Sequence, residues 1–168
     1  VLDQSGLPWV WPDGLEGLFR HSPYITECCV GFDGPAIFRP LVTDADVNPP
    51  FVVIVVVASA ALLALPEADR EAAVLESIDN LGEEKGLQPH EFPVRAVIVK
   101  EDFTQENGMR NANGKIVWTK VEERFSSLVI AAYRDPLTDF HLRRLRARHP
   151  EFIEGGKMES LGKNFDYA

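Results

Sequence analysis

Residues 92–125 read FPVRAVIVKEDFTQENGMRNANGKIVWTKVEERF, and the order of residue types within them decides the fold class. Val94, Ala96 and Ile98 alternate with Arg95, Val97 and Val99, which suits a mostly buried strand over 92–100. A polar stretch rich in Gly and Asn follows. Within it Asn113-Gly114 lies between two strand-like segments and predicts a hairpin, because both residues tolerate positive φ. Thr119 and Glu122 then stand in capping-box spacing, and Val117, Val121, Phe125, Leu128 and Ala132 form a helical stripe. Lys120, Glu122, Glu123 and Arg124 fall off that stripe. Lys115 directly follows the turn, and on local pattern alone it is an ordinary solvated lysine.

Upstream, residues 67–82 place Ala68, Ala72, Leu75, Ile78 and Leu81 on one helical face, with Gly86 marking the end. Residues 51–65, FVVIVVVASAALLAL, are an uncharged run of 15 between Pro50 and Pro66. A membrane span needs about 20 residues. The first half is β-branched and the second rich in Ala and Leu, so the run reads as a buried strand leading into a turn or short helix. Residues 13–20 predict a helix, with Asp13 and Glu16 in capping-box spacing and Leu15, Leu18 and Phe19 for its apolar face. A strand over 24–31, a turn at Asp33-Gly34-Pro35, a second strand over 36–42 and a loop over 43–50 complete this half.

Strands and helices thus mix through residues 1–133, and the expected fold is α+β, a small sheet with helices packed on it. Asp135-Pro136 breaks the pattern. Residues 134–168 form a basic helical extension and tail, in which Arg143, Arg144, Arg146 and Arg148 read as a solvated helix face or as a docking surface for an acidic partner.

Composition narrows the function classes. Of 168 residues, 17 are Lys or Arg and 26 Asp or Glu, a net charge of −9 that argues against nucleic acid as a partner. The 45% hydrophobic content suffices for a core, and the short apolar run argues against a membrane. The two cysteines, Cys28 and Cys29, are adjacent and cannot build a disulfide framework, which fits a reducing, cytoplasmic compartment. His21, His90, His141 and His149 are scattered, so no metal site is expected. No secretory signal opens the chain, and its start at Val1 reads as that of a fragment.

Phe103-Thr104, one residue, Glu106-Asn107-Gly108, and then Lys115 seven positions after that glycine resemble the C-terminal small domain of the adenylate-forming superfamily. That superfamily includes acyl-CoA synthetases and the adenylation domains of carboxylic acid reductases and peptide synthetases, and the first two kinds look most similar. Residues 1–34 resemble the hinge and first helix of the same domain, with Asp3 at the hinge position and Gly6 just downstream. Residues 109–113 are more polar than the usual Leu-Leu-Thr-like segment, and nothing in the chain resembles a phosphate-binding loop rich in Gly, Ser and Thr.

The resemblance implies an AMP-forming, carboxylate-activating ligase in which this chain is the mobile lid. Lys115 would be the catalytic cation, Asp3 the hinge, and Glu106, Asn107, Gly108, Asn113 and Gly114 the loop that supports the lysine. It further implies ATP and Mg²⁺, held mainly by a large N-terminal adenylation domain, a carboxylic acid substrate, and coenzyme A or a carrier pantetheine as acceptor. After the adenylate forms, the lid would rotate and withdraw the lysine. The isolated chain is then expected to be inactive. The competing reading is a stand-alone, non-catalytic interaction module derived from that domain.

Overall fold

The computed structural model describes residues 12–31 and 52–148. Three strands form one mixed sheet in the order β1-β2-β3: β1 (Ile25–Gly31), β2 (Val53–Ala58) and β3 (Arg95–Val99). Central β2 runs antiparallel to β1 and parallel to β3, with Val55 opposite both Cys29 and Val97. Because both faces of β2 are covered, its sequence is a continuous β-branched run and not an alternation.

One face carries Cys28, Ile54 and Val56 and packs against Leu15 and Phe19 of α1 (Pro12–Phe19) and Val74, Leu75 and Ile78 of α3 (Glu67–Lys85). The other carries Cys29, Val55, Val57, Val97 and Val99. It packs against Val121 of α4 (Trp118–Arg124) and Val129 and Ala132 of α5 (Ser126–Arg134). The fold is therefore α+β, as expected. The run at 51–65 is β2 followed by a four-residue helix, α2 (Ala60–Leu63), and among the described residues no helix is long and apolar enough to cross a membrane.

Gly86 ends α3 in the left-handed region at φ 78°. The buried face of α3 is Val74, Leu75, Ile78 and Gly82, rotated from the expected stripe: Ala68 is exposed. At Gly82 a Cβ would lie 2.5 Å from the Phe92 ring, so the smallest residue sits where helix and ring meet. Both capping-box expectations fail. Val117 caps α4 without a side-chain bond, so Thr119 lies inside the helix and Glu122 is buried. The helix breaks at Phe125, which moves the apolar face onto Val129 and leaves Leu128 48% exposed.

Glu16 does not cap α1; its Oε1 accepts the Val30 N–H at 2.9 Å and the residue is 8% exposed. Burial pushes its carboxyl above the ordinary 4.5, more than the Val30 hydrogen bond lowers it. A raised folded-state value means that the stabilisation is complete below pH 4.5 and is lost as pH rises through the folded value. Glu16→Gln keeps an acceptor for Val30 and removes the buried charge. It is expected to stabilise the chain by about 1 kcal/mol at pH 7 and by nothing below pH 4, as measured by urea unfolding at both pH values.

The arginines of α6 (Asp139–Arg148) divide, and the solvated-helix expectation is corrected for half of them. Arg143 and Arg146 are exposed. Arg144 donates to both carboxylate oxygens of Asp79 on α3, at 2.7 and 2.6 Å, and to the Pro93 and Val94 carbonyls. Arg148 reaches Asp79 and Glu83 and lies 4.0 Å over the Phe92 ring. The buried His141 accepts the Thr138 N–H at Nδ1, so its Nε2–H donates to Glu71 Oε1 at 2.6 Å. Burial works against ionisation of Glu71, yet His141, Arg95 and the Ala96 N–H together hold its carboxyl below the ordinary range. These bonds pin α6 to α3 and to the segment that leads into β3. The expected strand over 36–42, the loop over 43–50 and the tail beyond residue 148 lie outside the described residues.

Candidate functional site: the lysine hairpin

After β3 the chain leaves the sheet and turns twice before α4, and each corner has the same construction. The Gly108 N–H donates to the Gln105 carbonyl at 3.1 Å, and the Gly114 N–H to the Asn111 carbonyl at 2.9 Å. Each glycine closes its turn at φ 79°. A Cβ at either would meet nothing within 4 Å, so glycine is required here for the dihedral and not for space. The expected two-residue hairpin at Asn113-Gly114 is corrected accordingly. Only Gly114 has positive φ, the turn spans residues 111–114, and a single antiparallel bridge, Arg110 with Ile116, stands in place of paired strands. A turn followed by a left-handed glycine is the longer hairpin solution.

Phe103 and Met109 are buried in the core on the α4–α5 side of the sheet, Met109 completely, and anchor the loop. Asn107 ties its first corner: Oδ1 accepts the Thr104 and Met109 N–H groups, and Nδ2 donates to the Asp102 carbonyl at 2.7 Å. Glu106 is exposed and makes no hydrogen bond or ion pair among the described residues. Lys115 is exposed at the far corner, and among the described residues no carboxylate pairs with its ammonium. Asp3 lies outside the described residues.

Two residues that build this corner did not stand out in the sequence. Asn111, not Asn113, is its polar organiser, since Oδ1 of Asn111 accepts the N–H groups of Asn113 and Lys115 at 2.9 and 3.0 Å. Arg110 crosses the loop, with Nε donating to the Phe103 carbonyl at 2.9 Å and Nη1 to the Gly114 carbonyl at 2.6 Å. Its Nη2 pairs with Glu27 of β1. The available signal was the unusual polarity of residues 109–113, because a charged residue beside a buried Met109 needs a partner.

Among the described residues no group of three or more His, Cys, Asp or Glu side chains could hold a metal ion. Cys28 and Cys29 are free and buried on opposite faces of the sheet, and burial pushes both thiols far above their ordinary range, so neither is a nucleophile at neutral pH.

The adenylation domain of carboxylic acid reductase from Segniliparus rugosus, solved with AMP and a co-purified carboxylic acid, superposes with a TM-score of 0.62 at 27% identity. The match covers 79% of this chain and 19% of that one. The didomain of the same enzyme gives a TM-score of 0.63 at 25% identity, over 93% of this chain and 19% of its own. In sequence, the peroxisomal long chain acyl-CoA synthetase 6 of Arabidopsis thaliana is 25% identical over 130 residues, 76% of this chain and 18% of that protein. In sequence and in fold the chain is similar to members of the adenylate-forming superfamily. No protein-family model matches the sequence. The chain spans less than a fifth of the length of the relatives it matches.

Proposed function

We propose that this chain is the lid of an AMP-forming, carboxylate-activating ligase and that Lys115 is the cation it delivers. The observation that carries the reading is an exposed ammonium, with no carboxylate partner among the described residues, at the corner of a hydrogen-bonded hairpin. Adenylation brings a carboxylate against the α-phosphate of ATP and releases pyrophosphate, so negative charge accumulates where two anions meet. A compact ammonium positioned there lowers that barrier, and a lid can bring it in when the site closes.

Nucleotide and Mg²⁺ are assigned in this reading to a large lobe that supplies the phosphate-binding loop. The AMP and carboxylic acid in the Segniliparus rugosus domain support a carboxylic acid as the substrate class. The acyl-CoA synthetase relative favours coenzyme A as acceptor, with a carrier pantetheine as the other thiol of the same chemistry. The cytoplasm is the proposed location, consistent with two free buried thiols.

The test is to join residues 1–168 behind the large lobe of the Segniliparus rugosus adenylation domain and to follow acid-dependent ATP–pyrophosphate exchange. The chain alone is expected to give none. The fusion is expected to exceed the lobe alone by at least tenfold, and equal rates for fusion and bare lobe would reject the lid assignment.

A further inference from the structure

The peptide unit joining Gly114 to Lys115 is gripped at both ends by side chains. Its carbonyl accepts from Arg110 Nη1 at 2.6 Å, and its N–H donates to Asn111 Oδ1 at 3.0 Å. Arg110 also donates to the Phe103 carbonyl at the start of the loop, so one guanidinium fixes entry and tip together. That guanidinium is itself fixed from the sheet. Glu27 binds it through Oε2, while Oε1 of Glu27 accepts from Arg20 Nε at 2.5 Å and from the Cys28 N–H at 3.1 Å.

Glu27 comes into reach because the register of β1 against β2 slips between Ile25 and Glu27, a bulge of the kind that re-aims a side chain. Glu27 then shares a face with Cys29, the face on which Phe103 and Met109 are buried. A planar fork with several fixed donors can hold two carbonyls and a carboxylate at once, which an ammonium cannot.

We infer that Glu27 and Arg110 are positioning residues for Lys115: a sheet-anchored ion pair sets the hairpin tip, and through it the place to which the lysine is delivered. This rests on the lid reading for its catalytic consequence but not for its structural one. Position matters because a misplacement of about 1 Å in a reacting group can reduce the rate about 100-fold.

Two measurements test it on Arg110→Met, Arg110→Lys and Glu27→Gln. In the 168-residue chain, hydrogen exchange at the Lys115 and Asn111 amides is expected to accelerate at least tenfold in Arg110→Met and Glu27→Gln. The Val55 and Val97 amides of the sheet are expected to keep their protection. In the fused enzyme, adenylate formation is expected to fall about 10- to 100-fold in kcat with KM for the acid little changed. Thioester formation from presynthesised adenylate should hold its rate, and Arg110→Lys should recover only part of the loss.

Unchanged exchange at the hairpin overturns the inference, as does an equal loss in both half-reactions, since a brace that merely stabilises the fold would affect the two alike. If Lys115→Ala itself leaves adenylation intact, the lid reading fails separately, and the exchange data still decide whether the ion pair orders the hairpin.

Discussion

Lys115→Ala is expected to reduce adenylate formation in the fused enzyme by about 10²- to 10³-fold while leaving the melting temperature of the chain unchanged. The size follows from what the ammonium would do. One preorganised charge is removed from a point where charge develops, and no neighbour within the loop can replace it, because the Arg110 guanidinium is bound to two carbonyls and Glu27. The fold should not register the change, since the side chain is exposed and pairs with no carboxylate among the described residues. Lys115→Arg is the sharper control. It keeps the charge but spreads it over a longer planar group, so an intermediate rate is expected if position matters as well as sign. ATP–pyrophosphate exchange measures the first half-reaction, and conversion of presynthesised adenylate measures the second, which should be spared. Undiminished exchange in Lys115→Ala would remove the catalytic role from this residue.

The parts of the fold legible in the sequence are those in which apolar periodicity and burial coincide. Val53 to Val57 are a buried central strand because nothing but β-branched residues fills both faces, and α3 ends where Gly86 can take positive φ. Asn113-Gly114 likewise announced a turn directly before Lys115, and Gly114 takes the positive φ there. What stayed hidden were polar residues whose partners are distant in the chain. Glu16 has capping-box spacing, yet its carboxylate turns to a strand 14 residues on, because the Val30 N–H is a buried donor that needs an acceptor. Asn113 stood out over Asn111 because the pair Asn-Gly is familiar, whereas the bonds that fix the corner run from the side chain two residues earlier. Arg110 could be seen as unusual but not as a clamp, because Glu27 lies 83 positions away. The same reason made α6 look solvated: a run of arginines says nothing about carboxylates 65 positions upstream.

That last case gives the largest expected effect on stability. Arg144→Ala should lower the unfolding free energy by about 3–5 kcal/mol, the range for removing one partner of a buried ion pair. Arg144 and Asp79 have side chains only 9% and 13% exposed, and their bidentate contact is supplemented by the Pro93 and Val94 carbonyls. Truncation leaves Asp79 with Arg148 alone, at 3.2 Å, and two carbonyls without their donor. For a chain of this length the loss corresponds to roughly 10 °C in melting temperature. Most of it measures the charge left behind and not the worth of the pair. Asp79→Leu combined with Arg144→Met should therefore be markedly less destabilised than either single change, a non-additivity that a double-mutant cycle by urea denaturation reads directly. A loss below 1 kcal/mol in Arg144→Ala would mean that α6 does not rest on α3 in solution. The rest of its contacts, His141 with Glu71 and Arg148 with Glu83, would then be as loosely held as a solvated helix requires.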